Sequence, residues 1–141
     1  MPIPAIRFRV DFGRGQAVGP GKIALLERIG KTGSLSQAAR DLHMSYRRAW
    51  LLLESLNASF RERVAVSSRG GRGGGGVRLT VFGRQLISVY REFEVQTQVR
   101  AARTFRPIAV KARAARGGAA GVKRRPRSAG AAAPVRRLQD R

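Results

Sequence analysis

The chain contains no cysteine, which excludes a disulfide framework and any thiolate metal site. Its one histidine, His43, has no partner at ligand spacing, so no metal is expected. Acidic residues are scarce: 8 Asp and Glu stand against 29 Lys and Arg in 141 residues, a formal charge of +21. Long apolar runs are missing too. Ala49–Leu53 is the longest uninterrupted stretch, far short of the roughly 18 residues a membrane span needs. The opening "MPIPAIRFRVDF" has neither the basic region nor the apolar core of a signal peptide. Aromatic residues stop at Phe105. What is abundant is positive charge, and such an excess calls for a polyanionic partner, foremost nucleic acid. The expected location is cytoplasmic and nucleoid-associated. The preference for Arg over Lys with abundant Ala and Gly suits a bacterium with GC-rich DNA.

The length has room for one domain with a modest core. Composition divides the chain near Arg106. Residues 107–141 carry ten Lys and Arg, one Asp and no aromatic side chain, too little apolar surface to offset the entropy of ordering. They read as a disordered basic tail, either simply solvated or a non-specific phosphate-binding arm. Residues 1–106 read as the folded domain.

Within that domain "IRFRVDF" alternates Ile6, Phe8, Val10 and Phe12 against Arg7, Arg9 and Asp11, which predicts a half-buried strand. "GPGKIALLERIGKTG" predicts a helix opening at Pro20, closing at Gly30–Gly33, and facing inward through Ile23, Leu26 and Ile29. "SLSQAARDL" predicts a second helix capped by Ser34 or Ser36, with Leu35, Ala38, Ala39 and Leu42 inward. After His43, Met44 and Ser45 comes a third, "SYRRAWLLLESLNASF", with Ala49, Leu53, Leu56 and Phe60 at helical spacing. "VAV" and "VRLT" read as short strands. From a Thr80 cap the last helix carries Phe82, Leu86, Val89, Tyr90 and Phe93 as one stripe, over a length of about 40 Å. That length suggests a dimer interface along Phe82–Phe105.

Two short helices joined by three residues, with paired alanines for close crossing, match a helix-turn-helix. The second would enter the major groove of double-stranded DNA with Ser45, Tyr46, Arg47 and Arg48 at its start. Arg47 and Arg48 are the candidates for bidentate reading of guanine. Ser34, Ser36 and Gln37 are placed to bind backbone phosphate. Trp50 is balanced between a structural role and a DNA contact.

Two phosphate-loop motifs fail. "GKT" at Gly30–Thr32 lacks the glycine a Walker loop requires five residues earlier, where Leu25 stands. Gly71-x-Gly73-x-x-Gly76 satisfies a dinucleotide fingerprint literally, but it leads into a strand rather than opening a helix. With no paired carboxylates or nucleophile set either, catalysis is not expected and no cofactor is assigned. Strand, glycine tip, strand after a recognition helix is instead the layout of a wing. Its glycines would let the backbone approach phosphate, while Arg69, Arg72 and Arg78 supply charge.

Three segments in combination, S-x-S-x-A-A before the turn, S-Y-x-x-A-W opening the recognition helix, and GG-x-GGGG followed by LT-x-x-G, resemble the N-terminal DNA-binding domain of the ModE family of molybdate-responsive regulators, over roughly residues 5–103. The helix-turn-helix alone would also suit LysR-type regulators, whose wing is less glycine-rich. The resemblance implies a winged helix-turn-helix, mainly α with a small β-hairpin wing, acting as a homodimer through a long C-terminal helix. It implies a palindromic operator near molybdate-transport or molybdoenzyme genes, with Ser45, Tyr46, Arg47, Arg48 and the wing facing DNA. Family members continue into β-rich molybdate-binding modules; the basic tail offers no oxyanion site, so molybdate binding by this chain is not expected. The competing reading is a sequence-tolerant architectural DNA coater, for which the net charge and tail suffice.

Overall fold

A computed structural model describes residues 4–68 and 76–113. These form, in order, strands β1 (Val10–Gly13) and β2 (Gln16–Val18), helices α1 (Pro20–Thr32), α2 (Leu35–Asp41) and α3 (Tyr46–Ser59), strands β3 (Ala65–Ser68) and β4 (Gly76–Leu79), and helix α4 (Val81–Ala109). The strands make two separate antiparallel hairpins, β1–β2 and β3–β4.

Each helix begins and ends where its local chemistry directs. Pro20 at the first helical position presets φ for α1, and Gly33 closes that helix in the left-handed region at φ 65, its N–H reaching the Ile29 carbonyl at 2.8 Å. Ser34 caps α2, its hydroxyl accepting from the Gln37 amide at 3.2 Å. Ser45 caps α3 and Thr80 caps α4 in the same way, at 3.1 and 3.0 Å. Of the two serines considered for the α2 cap, Ser34 takes the role.

The core lies between α1, α2 and α3, with Val18, Val64, Leu79 and Tyr90 closing its sides. Ile23, Leu25, Leu26 and Ile29 of α1 are completely buried, each contributing about 1.5–3 kcal/mol by removal from water. Ala38 and Ala39 are equally inaccessible, so α2 can cross its neighbours closely. The hairpin β3–β4 follows α3 and rests on α1, completing a winged helix-turn-helix.

Two boundaries differ from the sequence reading. The strand expected over residues 6–12 forms only at Val10–Gly13, because its partner β2 is three residues long. Upstream, the segment keeps its alternating exposure but lies along α4 instead. There the Gln98 side chain accepts from the Ile6 amide at 3.0 Å and donates to the Pro4 carbonyl, and the Tyr90 hydroxyl donates to the Phe8 carbonyl at 3.0 Å. Phe12, expected inward, is 55% exposed and meets Phe60 edge-on. At the other end α4 does not stop where composition changes. It continues through Pro107 to Ala109, so the boundary drawn at residue 106 falls inside its last turn. A proline there forfeits one backbone hydrogen bond without ending the helix at once. Residues 114–141 of the basic tail lie outside the described residues.

Candidate nucleic-acid interface

The turn between α2 and α3 is tight because three amides fold back on α2. Leu42 donates to the Ala38 carbonyl, His43 to Arg40, and Met44 to Ala39, at 3.0–3.1 Å. His43 takes φ 54, a left-handed conformation uncommon for a non-glycine residue but better tolerated by His than by most. Ser45 then restarts the chain as α3, which buries Ala49, Leu53, Leu56 and Asn57 and leaves the opposite face open. Tyr46, Arg47 and Arg48 all stand exposed at its first turn, with no acidic residue beside them. Trp50 (47% exposed) and Leu51 (51%) continue that open surface. Two guanidinium forks on the accessible end of a helix of 14 residues form an arrangement that fits a major groove.

The hydroxyls of Ser34 and Ser45 are engaged as caps, and Gln37 is tied to its own helix, donating to Asp41 at 2.8 Å and accepting from Arg40 at 3.1 Å. Ser36 is exposed on α2.

The stem of the second hairpin is held at fixed points relative to α3. Ala65 pairs with Leu79 and Ser68 with Gly76. The Val77 amide donates to the Gly33 carbonyl at 3.0 Å, hanging β4 on the end of α1. The Thr80 amide donates to the Val64 carbonyl at 3.0 Å and its hydroxyl to Arg63 at 2.6 Å, so the α4 cap also locks the stem. Sequence reasoning did not single out Asn57. Its buried side-chain oxygen accepts from the Val64 and Ala65 amides at 2.9 and 3.4 Å, joining the end of the recognition helix to the base of the hairpin. An asparagine amid an apolar stripe was its only signal. Arg78 is exposed on β4, whereas Arg69 and Arg72 lie outside the described residues.

The five stripe residues of α4 separate. Tyr90 is buried within the chain itself, stacked on Phe8 with ring centroids 4.8 Å apart, and is therefore not available at the surface for the expected dimer contact. Burial holds its hydroxyl above the ordinary tyrosine pKa, with Glu94 adding to the effect and Arg91 opposing it. Phe82 and Leu86 pack partly against the core. Val89 and Phe93 remain half-exposed, as do Val99, Phe105 and Ile108 further along. Arg91 fastens α4 to α1 through Glu27 and bonds Glu94 at 2.7 Å; the Glu27 hydrogen bond holds its guanidinium above the usual arginine pKa.

Residues 21–84 match the family of bacterial regulatory helix-turn-helix proteins of the LysR type. Over 92 residues the chain is 37% identical to the molybdenum transport protein ModE of Azotobacter vinelandii, covering 65% of this chain and 34% of that protein. It is 39% identical over 71 residues to the DNA-binding transcriptional dual regulator ModE of Escherichia coli K12, covering 50% and 27%. The chain carries a ModE-like helix-turn-helix domain. A similar match, 40% over 80 residues, joins this ModE-like domain to the molybdenum-pterin-binding protein MopB of Rhodobacter capsulatus, with 57% of this chain and 30% of that protein covered. The chain thus spans about a third of the length of the relatives it matches. Among the described residues no helix is long and apolar enough to cross a membrane, and no group of His, Asp and Glu gathers to hold a metal ion.

Proposed function

We propose that the protein is a DNA-binding transcriptional regulator of genes for molybdate transport or molybdenum enzymes, reading a palindromic operator as a dimer. The observation that carries this reading is the exposed, acid-free start of α3, held by a tight turn on α2 and flanked by an anchored hairpin. Arg47 and Arg48 read base edges, while Arg78, with Arg69 and Arg72 of the wing, binds backbone phosphate. Two protomers meet along the exposed apolar part of α4, through Val89 and Phe93 with Phe82 and Leu86 at the edge of the contact, and their recognition helices address half-sites about one helical turn (~34 Å) apart or a multiple of it. The gene class follows from the relatives, one named for molybdenum transport and another as a transcriptional dual regulator. The high net charge favours the second reading, a sequence-tolerant DNA coater.

Mapping the sites bound across the genome, with and without molybdate in the medium, tests the proposal. Discrete peaks over a shared palindrome near molybdenum genes support it. Even coverage supports the coater. Palindromic peaks unchanged by molybdate leave the DNA reading in place and remove the molybdate response.

A further inference from the structure

The first hairpin, β1–β2, has no part in the reading above. Its turn, Gly13-Arg14-Gly15, places both glycines at positive φ, 155 and 70, and leaves Arg14 exposed at the tip. The hairpin is fastened beside the recognition helix by Lys22 of α1, whose ammonium donates to the Ala17 carbonyl at 2.7 Å and the Ser55 hydroxyl of α3 at 3.0 Å. Between hairpin, α1 and α3 runs a groove of about 280 Å³ whose charged lining residues are Arg9, Lys22 and Arg48, with Gly15, Gly19 and Gly21 leaving its floor low. No carboxylate is among its lining residues. The adjacent Asp11 pairs with Arg9 at 2.8 Å, on the exposed side of the strand. Burial lowers the pKa of Lys22, and the charge of Arg9 lowers it further. An anion in the groove would relieve that repulsion.

The two hairpins hang from opposite ends of α1. The first is tied to Lys22 near its start, and the second to Gly33 at its close. Lys22 and Gly33 stand eleven residues apart, about 17 Å along the helix, enough to straddle a major groove about 12 Å wide.

We infer that β1–β2 is a second wing, resting on the DNA-binding reading: Arg9 and Lys22 seat one phosphate of the duplex backbone, beside the Arg48 that reads the bases, and Arg14 at the tip holds a neighbouring one. The two hairpins then grip the backbones on either side of the groove that α3 enters. This contact is made to phosphate alone, so it adds affinity for any sequence and leaves discrimination to α3.

The test uses the full chain, a duplex selected by that chain from a random pool, and a scrambled duplex, titrated by fluorescence anisotropy over a range of salt concentrations. Each phosphate contact contributes about 0.9 to the slope of log Kd against log salt. Arg14→Gln should lower the slope by about 0.9, and Arg9→Gln with Arg14→Gln, which leaves Lys22 on the shared phosphate, by about 0.9 to 1.8, equally on both duplexes, with thermal unfolding unchanged for the exposed Arg14 variant. Arg61→Gln with Arg100→Gln, two exposed arginines outside the groove, is the control for net charge. An unchanged slope in the hairpin variants, or an equal fall in the control, overturns the second wing. If the wild-type chain binds neither duplex, the DNA-binding reading itself fails, and the two failures are thereby told apart.

Discussion

Gly83→Ala tests how α4 is seated on the hairpin it follows. Gly83 is the third residue of α4 and is buried against the base of β3. A Cβ there would fall on the Val64 carbonyl oxygen, 2.9 Å from its carbonyl carbon and 3.3 Å from its Cα, all backbone atoms that cannot rotate away. Relief requires the first turn of α4 to lift. That stretches the Thr80 amide to Val64 bond and the Thr80 hydroxyl to Gly83 cap, both 3.0 Å now. Overpacking costs about 1–3 kcal/mol, and the weakened bond and cap about 1 kcal/mol each. The better helix propensity of alanine returns about 1 kcal/mol. The net loss is about 2–4 kcal/mol, equivalent to roughly 8–32 °C in a domain of this size, since 1 kcal/mol moves Tm by about 4–8 °C. Thermal unfolding followed by circular dichroism at the helical band reads it directly. A Tm within about 4 °C of wild type, or above it, would refute the close approach of α4 to Val64.

Asn57→Ala should cost about 2–4 kcal/mol in urea unfolding, because the buried Val64 and Ala65 amides both lose their acceptor; an unchanged midpoint would mean water replaces it freely. Tyr90→Phe should cost about 1 kcal/mol at neutral pH through loss of its bond to Phe8. Because the folded pKa of Tyr90 lies above the ordinary value near 10, its contribution is complete below that pH and is lost as pH rises past it. Lys22 has the opposite sign: its lowered folded pKa gives the fold stability as pH rises toward its usual value of 10.5. The difference between wild type and Tyr90→Phe therefore isolates the tyrosine, and a difference constant from pH 8 to 11 would refute its buried state. Arg47→Ala should cost about 1–3 kcal/mol on a selected duplex and much less on a scrambled one; an equal loss on both would make Arg47 a phosphate contact.

Helix starts and stops were legible because their signals are local. Pro20, Gly33 and Thr80 each act within one turn and stand where the sequence placed them, whereas Ser45, read only as a turn residue and DNA-facing hydroxyl, is the cap of α3. The helix-turn-helix was legible for the same reason: paired alanines and a three-residue turn leave little choice of crossing. The partners of the first strand were not. Ile6, Phe8 and Val10 alternate as a strand should, but Tyr90 and Gln98, more than 80 residues away, draw the first part of it onto α4. The same contact buries one residue of the supposed dimer stripe, since periodicity reports an apolar face and not what covers it. The Arg9–Lys22–Arg48 groove was invisible because its charges come from three elements that meet only in the fold. Asn57 was missed because a lone polar residue among leucines does not announce which amides it will satisfy.

The most direct test of the central claim is the ratio of dissociation constants for the selected and scrambled duplexes, measured with the full chain at 0.15 M salt by anisotropy. Base reading by α3 gives a ratio of about 10³ or more. A ratio near one, with affinity governed wholly by salt, would contradict it and leave a basic protein that coats DNA without reading it.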